Sequence, residues 1–409
     1  MKHIYIFNQA DTKGFLYGIG TSIRQMLQMK NYGYSMHLVH INADVSEVTI
    51  QIKDDVEEIL FPNPITVPKT QIIYEKYQIN VVRILRSHID INAENIFHLN
   101  FINNLSLAKA IKRYLNGKTV LTIRFSQSLF NLKGDINKLH EIIQSPVSEN
   151  DQPIYTSVRN EIKTVSEMVD LYVDKVISIA QHSFLQNNII YRIDKSKNVM
   201  IHNSLCDEMD KGVNNKTKLK KELGINCSEK IIIYAGRLDE IKGIQCLLQA
   251  LSILKSKGVG FHLFIAGKGH FEATIDFIHD LYTNVTFTGF LEKDRLYQLY
   301  LISDIGVFPS LYEEFGYVIL EMMMHRLPVV GYRTSGTAEI VEDGRTGLLA
   351  DLSFEDQEHS IRGLAEKIEY LLENPEEARK MGIVGRKRFL KYFSSKTFQA
   401  KMCDFYSSL

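Results

Sequence analysis

The sequence predicts an α/β protein built from two Rossmann-like domains with parallel sheets. Three observations carry this. The chain has 409 residues, more than one ordinary core organises, so two domains are the natural division. Short, continuously apolar runs recur between helical-looking segments, which is the pattern of parallel strands covered on both faces. These runs fall into two series separated by a polar stretch, "CDEMDKGVNNKTKLKKELGINCSEK" at 206–230.

The first series is "KHIYIFN" (2–8), "MHLVHIN" (36–42), "NIFHLNF" (95–101), "TVLTIRF" (119–125), "KVISIA" (175–180) and "NVMIHN" (198–203). Within it, "EVTIQIK" (47–53) alternates apolar and polar side chains and reads as an edge strand or hairpin. The second series is "KIIIYAG" (230–236), "FHLFIAG" (261–267), "NVTFTGF" (284–290), "IGVFPS" (305–310), "LPVVGY" (327–332) and "TGLLA" (346–350). At the end of the chain Ser394 and Ser395 offer an N-cap. Phe398, Met402 and Tyr406 recur every fourth residue beyond it, with Phe405 and Leu409 beside the same stripe. The expected domains are 1–204 and 205–394, with an amphipathic helix over 395–409.

Composition narrows the classes of function. Lys+Arg and Asp+Glu both number 48. Residues 1–204 hold 22 basic and 19 acidic side chains, so neither half is a strong polyanion binder and no nucleic-acid partner is expected. Cys206, Cys227, Cys246 and Cys403 stand apart with no CxxC pair, which fits reduced thiols and neither a disulfide frame nor a zinc site. The opening "MKHIYIFNQ" is too short an apolar run for a signal peptide, and no apolar stretch is long enough to cross a bilayer. The expectation is a cytoplasmic protein. Residues 109–118, "KAIKRYLNGK", form a modestly basic helix that reads as a solvated face, with peripheral contact at the inner face of a membrane as the alternative.

Ligands of open parallel sheets bind beyond the carboxyl ends of the strands, so chemistry is sought in the loops there. After the first strand, "NQADTKGFLYGIGTSIRQML" (8–27) brings Gly14, Gly18 and Gly20 to the head of a helix. Its amides suit an anion, or the glycines serve a tight turn. In "YAGRLDEIKG" (234–243), Arg237 follows a strand and Lys242 heads the next helix. Together they neutralise a diphosphate, or they are ordinary solvated charges. In "PSLYEEFGYVILEMMMHRLPVV" (309–330), Phe315-Gly316 lets the backbone pass close to a ligand, and the helix beyond is apolar nearly all round. Glu321 sits inside that apolar helix. A buried carboxylate needs donors. Sugar or ribose hydroxyls supply them without adding charge; an ion pair with Lys or Arg is the alternative. Glu313, eight residues earlier, faces the same mouth.

With these residues in view, the whole chain resembles the family-4 retaining glycosyltransferases, which have the GT-B architecture of two Rossmann-like domains facing a cleft. The E-x7-E element, Glu313…Glu321 within "EEFGYVILE", carries the likeness. So do "GRLDEIKG" (236–243), "IAGKGH" (265–270), "TGFLEKDRLYQLY" (288–300), "SDIGVFPS" (303–310), "PVVGYRTSGTAEIVEDGRTGLLAD" (328–351) and "HNSL" (202–205). The resemblance implies that Arg237 and Lys242 hold the diphosphate of a nucleotide-sugar, that Glu321 binds its ribose, and that Glu313 contacts the transferred sugar. It implies that the backbone of Phe315, Gly316 and Tyr317 lies along sugar and diphosphate, that Gly18 closes over the phosphates, and that Phe290 and Leu291 border the base. It further implies a helix at 395–409 crossing back to the N-terminal domain, and no metal or other cofactor.

The sequence departs from the family in three places. The family's T-x-H-D reads "TIRF" here, with Arg124 at the His position. An Arg takes no proton at neutral pH, so it is expected to bind an anionic acceptor or the leaving phosphate. The family's N-G after the hinge strand is Asn203-Ser204, and Arg326 stands where the family has a small residue. His98 in "FHLNF" lines the acceptor side or is a satisfied core histidine; His202 reads as structural and Met322–Met324 as core. Asp54-Asp55 and Glu57-Glu58 read as a solvated acidic patch, not a metal site.

The expected function is transfer of a sugar, with retention, from a nucleoside-diphosphate-sugar (UDP favoured) to a saccharide, lipid-linked saccharide or peptide acceptor. The rivals are a sugar-nucleotide 2-epimerase and a non-catalytic sugar-nucleotide-binding partner protein.

Overall fold

The structure is a computed structural model and describes residues 1–9, 18–63, 71–148, 152–209 and 216–409. The chain divides into two compact units, Met1–Leu205 with Ser395–Leu409, and Cys206–Ser394. Each is an α/β unit built on one sheet.

Unit 1 contains β1 (Lys2–Gln9), β2 (Ser35–Ala43), β3 (Thr49–Lys53), β4 (Val56–Pro62), β5 (Glu94–Leu99), β6 (Lys118–Ile123), β7 (Lys175–Ser178) and β8 (Asn198–Met200). Their order in the sheet is β3-β4-β2-β1-β5-β6-β7-β8. All pairings are parallel except β3 with β4. That pair resolves the region around "EVTIQIK": it is both an edge strand and one arm of a hairpin. Asp54 and Asp55 form the turn at φ 50° and 57°, the left-handed pair of a tight two-residue connection. The strand β4 has no clean apolar run because Glu57 and Glu58 sit side by side in it. Glu57 bonds to His37 Nδ1 at 2.6 Å and Glu58 accepts from Gln51 Nε2 at 2.7 Å, so the acidic patch is partly tied into the sheet.

The helix Ser395–Ser407 belongs to this unit. Phe398, Met402, Phe405 and Tyr406 are buried in one cluster with Ile4, Ile6, Ile23, Met26, Met36 and Leu38. The Lys2 ammonium donates to the Tyr406 carbonyl at 3.0 Å and the Tyr34 hydroxyl to the Cys403 carbonyl at 3.2 Å. An amphipathic helix is stable only when its apolar stripe is covered, and here β1, β2 and their flanking helix cover it.

Unit 2 contains β9 (Ile231–Ala235), β10 (His262–Ala266), β11 (Val285–Gly289), β12 (Ile305–Phe308), β13 (Val329–Tyr332) and β14 (Gly347–Ala350), in the order β11-β10-β9-β12-β13-β14, all parallel. Its core joins Ile232, Tyr234, Leu247, Leu251, Val307, Val330, Leu364 and Ile368. The chain leaves β9 for β10 on one side and returns to β12 on the other, so the loops after β9 and β12 part at a switch point in the strand order. Arg326, before β13, adopts φ 59° with its side chain exposed. That is a left-handed position, which glycine adopts without strain and a residue with a Cβ does not.

Candidate donor site

The carboxyl ends of β9 to β13 are bound to one another by backbone hydrogen bonds. Leu238 N donates to Lys268 O at 2.9 Å, Gly267 N to Gly289 O at 2.8 Å, Leu311 N to Ile241 O at 2.9 Å, and Gly336 N to Glu313 O at 3.0 Å. The loops that hold the predicted residues therefore form one continuous rim. Two glycines permit it. Gly243 has φ 68°, and a Cβ there would stand 1.9 Å from the Pro309 carbonyl oxygen. Gly316 has φ 96° and starts the helix Tyr317–Met324, a conformation that L side chains resist.

On this rim Arg237 follows β9 with its side chain 55% exposed and pairs with Asp239 at 3.0 Å. The Asp239 carboxylate also caps the short turn Glu240–Lys242, accepting from Lys242 N at 3.1 Å. The Lys242 ammonium lies 2.6 Å from Glu313 Oε2 and 5.8 Å from the centre of the Phe308 ring. Arg237, Lys242 and Glu313 thus share one rim, with the last two in direct contact. Phe315 is buried and Tyr317 half-buried at the helix head. Phe290 is 42% exposed just past β11, beside the half-buried Leu291, with the Lys268 ammonium 5.0 Å from its ring centre.

Glu321 lies one turn into the helix, whose other faces bury Ile319, Leu320, Met322, Met323 and Met324. Its Oε2 accepts from the Tyr300 hydroxyl at 3.0 Å. No cation stands within ion-pair distance among the described residues, so a tyrosine hydroxyl takes the place of the alternative Lys or Arg partner. Burial pushes the Glu321 carboxyl up to about 7, against the opposing pull of the Tyr300 hydroxyl and the Lys293 ammonium. Its own carbonyl accepts from His325 Nδ1 at 2.7 Å, and burial lowers the pKa of that imidazole.

The remaining predicted residues belong to unit 1. Gly18 is the first residue of the helix Gly18–Leu27, while Gly14 lies outside the described residues. One turn on from Gly18, Ser22 Oγ donates to Asn203 Oδ1 at 3.2 Å. Arg124, just past β6 and 9% exposed, donates from Nη1 to the same Asn203 oxygen at 3.2 Å and from Nε to Asn100 Oδ1 at 2.9 Å. Ser22, Arg124 and Asn203 are therefore neighbours at the carboxyl ends of this sheet, with Gly18 one turn before Ser22.

His98 is a correction to the acceptor-side expectation. It is fully buried, with Nδ1 2.6 Å from the Tyr406 hydroxyl and Nε2 2.6 Å from Thr122 Oγ1. Both ring nitrogens are used inside the fold, and burial, helped by the Arg124 charge, drives its pKa down to about 3. It is a core histidine that ties the C-terminal helix to β5 and β6.

Sequence reasoning missed Asp239, Tyr300, Ser22 and Asn100. Asp239 had a local signal, a capping carboxylate three residues before Lys242. The others had none, because their partners lie 21 to 181 residues away. Among the described residues no group of three or more His, Cys, Asp or Glu stands together as a metal site, and no helix is long and apolar enough to cross a membrane.

Residues 215–388 match the family model for group 1 glycosyl transferases, a stretch that lies within unit 2 and contains the whole rim. The α-D-kanosaminyltransferase of Streptomyces kanamyceticus is 30% identical over 164 residues, 39% of this chain and 41% of that protein. The chain spans about half the length of the curated relatives it matches. Among solved structures, sucrose-phosphate synthase from Thermosynechococcus elongatus superimposes with a TM-score of 0.77 at 17% identity, covering 100% of this chain and 99% of that one. Anabaena HepE in complex with UDP-glucose gives 0.73 at 18% identity over 100% of both chains. The fold is of the GT-B class, two α/β domains with parallel sheets.

Proposed function

We propose that the chain is a glycosyltransferase of the family-4 retaining type, moving a sugar from a nucleoside diphosphate to an acceptor hydroxyl. The observation that carries this reading is the rim of unit 2. Two cations after β9 stand there, Lys242 in contact with Glu313 from the segment after β12, and Glu321 follows one turn into the helix of that same segment, all inside the stretch matched by the group 1 model. Arg237 and Lys242 take up charge on the diphosphate. Amides at the head of the helix Tyr317–Met324 add to this, because the first turn of a helix has unpaired N–H groups. Glu321 accepts from ribose hydroxyls, Glu313 from the transferred sugar, and Phe290 with Leu291 flanks the base. UDP is the favoured nucleotide, supported by the likeness to a protein solved with UDP-glucose.

In the proposed step, the bond from the anomeric carbon to the diphosphate oxygen breaks and the bond to the acceptor oxygen forms on the same face. The acceptor proton passes to the leaving phosphate. No resident metal or cofactor takes part in this reading. Arg124 and Gly18 are assigned to anion binding in unit 1, and the acceptor is a saccharide, lipid-linked saccharide or peptide hydroxyl, with working contact at a membrane surface when it is lipid-linked. Incubation with a panel of UDP-, GDP- and ADP-sugars and mixed acceptors tests the reading, with products followed by mass spectrometry and anomeric configuration by NMR. Transfer with retention supports it. Epimerised sugar nucleotide, or binding without any turnover, overturns it in favour of one of the rivals.

A further inference from the structure

The candidate donor rim pairs Arg237 and Lys242 each with a carboxylate, and the two carboxylates differ in how firmly they are held. Asp239 is committed: one oxygen caps the turn at Lys242 N, the other meets Arg237. Glu313 is not. Its backbone is pinned by Gly336 N, but its carboxylate has Lys242 as its only hydrogen-bond partner among the described residues, at 2.6 Å. Both members of that pair are partly open to solvent, 19% for Lys242 and 17% for Glu313. Any anion that reaches the Lys242 ammonium therefore arrives beside a carboxylate already seated on it.

We infer that Glu313 makes the site discriminate between a nucleoside diphosphate carrying a sugar and the bare diphosphate, weakening the hold on the latter. This rests on the reading that Lys242 binds a diphosphate. A phosphate oxygen and the Glu313 carboxylate sharing one ammonium repel each other, in surroundings drier than bulk water where such repulsion is strong. A donor that carries a sugar relieves the conflict. A sugar hydroxyl donates to Glu313, the carboxylate turns from Lys242 to the sugar, and the ammonium is left to the diphosphate. Once the sugar has been transferred the hydroxyl is gone, Glu313 returns to compete for Lys242, and the diphosphate is expelled. One residue thus contacts the sugar in the donor and promotes release of the product.

Calorimetry with UDP and with UDP-glucose, or with the matching pair of whichever base and sugar the panel selects, tests this on the full chain. Glu313→Gln and Glu313→Ala are compared with the parent, and thermal melts establish that each is folded. Both substitutions remove the competing charge. Both are expected to tighten UDP by about tenfold, equivalent to about 1.4 kcal/mol, and to leave the sugar-bearing nucleotide unimproved or weakened. The gain for UDP should shrink as salt is raised. If the parent binds and turns over the donor, yet UDP binding in the folded variants is unchanged within threefold or weaker, the inference is wrong while the functional reading stands. If the parent binds no nucleotide, the functional reading fails and the inference fails with it.

Discussion

Replacing Glu321 by Gln separates a carboxylate kept for ligand binding from one kept for the fold. The Glu321 carboxyl is pushed from an ordinary 4.5 up to about 7 by burial. The folded chain therefore holds this proton more tightly than the unfolded chain. The associated stability is present in full below the ordinary carboxylate range and is lost as pH rises through about 7. A shift of this size corresponds to a ceiling of about 3 kcal/mol at pH 8. The side chain is only half-buried, and residual solvent contact brings the cost below that ceiling. Glutamine keeps an acceptor for the Tyr300 hydroxyl but carries no charge at any pH. The variant is expected to match the parent at pH 5 and to exceed it at pH 8 by about 1–3 kcal/mol, a rise of about 2–4 °C in Tm for each kcal/mol in a unit of this size. Nucleotide affinity should fall in the same variant, because a neutral amide accepts more weakly from ribose hydroxyls. Thermal melts from pH 5 to 8.5, with nucleotide titrations alongside, read both effects. A variant that loses as much stability at pH 8 as at pH 5 and binds nucleotide normally would refute the reasoning, since the carboxylate would then be serving the fold.

Three further outcomes are expected. Lys242→Ala and Arg237→Ala should each lower kcat/KM by about 2–3 kcal/mol of transition-state stabilisation; steady-state rates within threefold of the parent remove that residue from the site. Because the His98 pKa is depressed to about 3 from an ordinary 6.5, unit 1 should lose stability as pH falls below about 6.5, by at most about 1.4 kcal/mol per pH unit. Melts of His98→Gln between pH 4 and 7 should show a flatter dependence. Deleting residues 395–409 uncovers the seat of Phe398, Met402, Phe405 and Tyr406. At about 1.5–3 kcal/mol per large buried side chain the loss is about 6–12 kcal/mol, comparable with the whole stability of a domain. The truncated chain should be insoluble or protease-sensitive in unit 1, and full solubility with full activity would contradict the packing described.

Strands were the most legible part of the fold because parallel strands covered on both faces are apolar at every position and need no periodicity to be seen. The runs over-reached at their carboxyl ends, however. "TVLTIRF" continues to Phe125 while β6 stops at Ile123, and "NVTFTGF" continues to Phe290 while β11 stops at Gly289. Apolar character there outlasts the hydrogen-bonded ladder, and the overrun holds candidate site residues, Arg124 and Phe290 among them. The strand β4 escaped notice for the opposite reason. Two adjacent glutamates break its pattern, and only His37 and Gln51, on neighbouring strands, show why they are tolerated.

Site residues were legible where the sequence contains a local conflict and illegible where the conflict is settled at a distance. Glu321 stood out because a carboxylate contradicts the apolar helix around it. Nothing in the chain announced that Tyr300 would answer only one of its oxygens. His98 carried an equal conflict, an ionisable ring in an apolar strand. Its resolution comes from Tyr406, 308 residues away, and from Thr122. The difference between the two is a matter of remaining valence. The imidazole of His98 has both nitrogens bonded inside the fold and nothing left to offer a ligand. The Glu321 carboxylate uses Oε2 and has no partner at Oε1 among the described residues. Because Glu321 is half-buried, that oxygen reaches solvent and stays open to a ligand that donates to it, and such a ligand stabilises the folded chain by binding it. Counting the hydrogen bonds still open on each perturbed titratable side chain therefore separates core from site here better than pKa does, since both residues are strongly perturbed and only one is incomplete, and exposure agrees: His98 is fully buried and Glu321 half-buried.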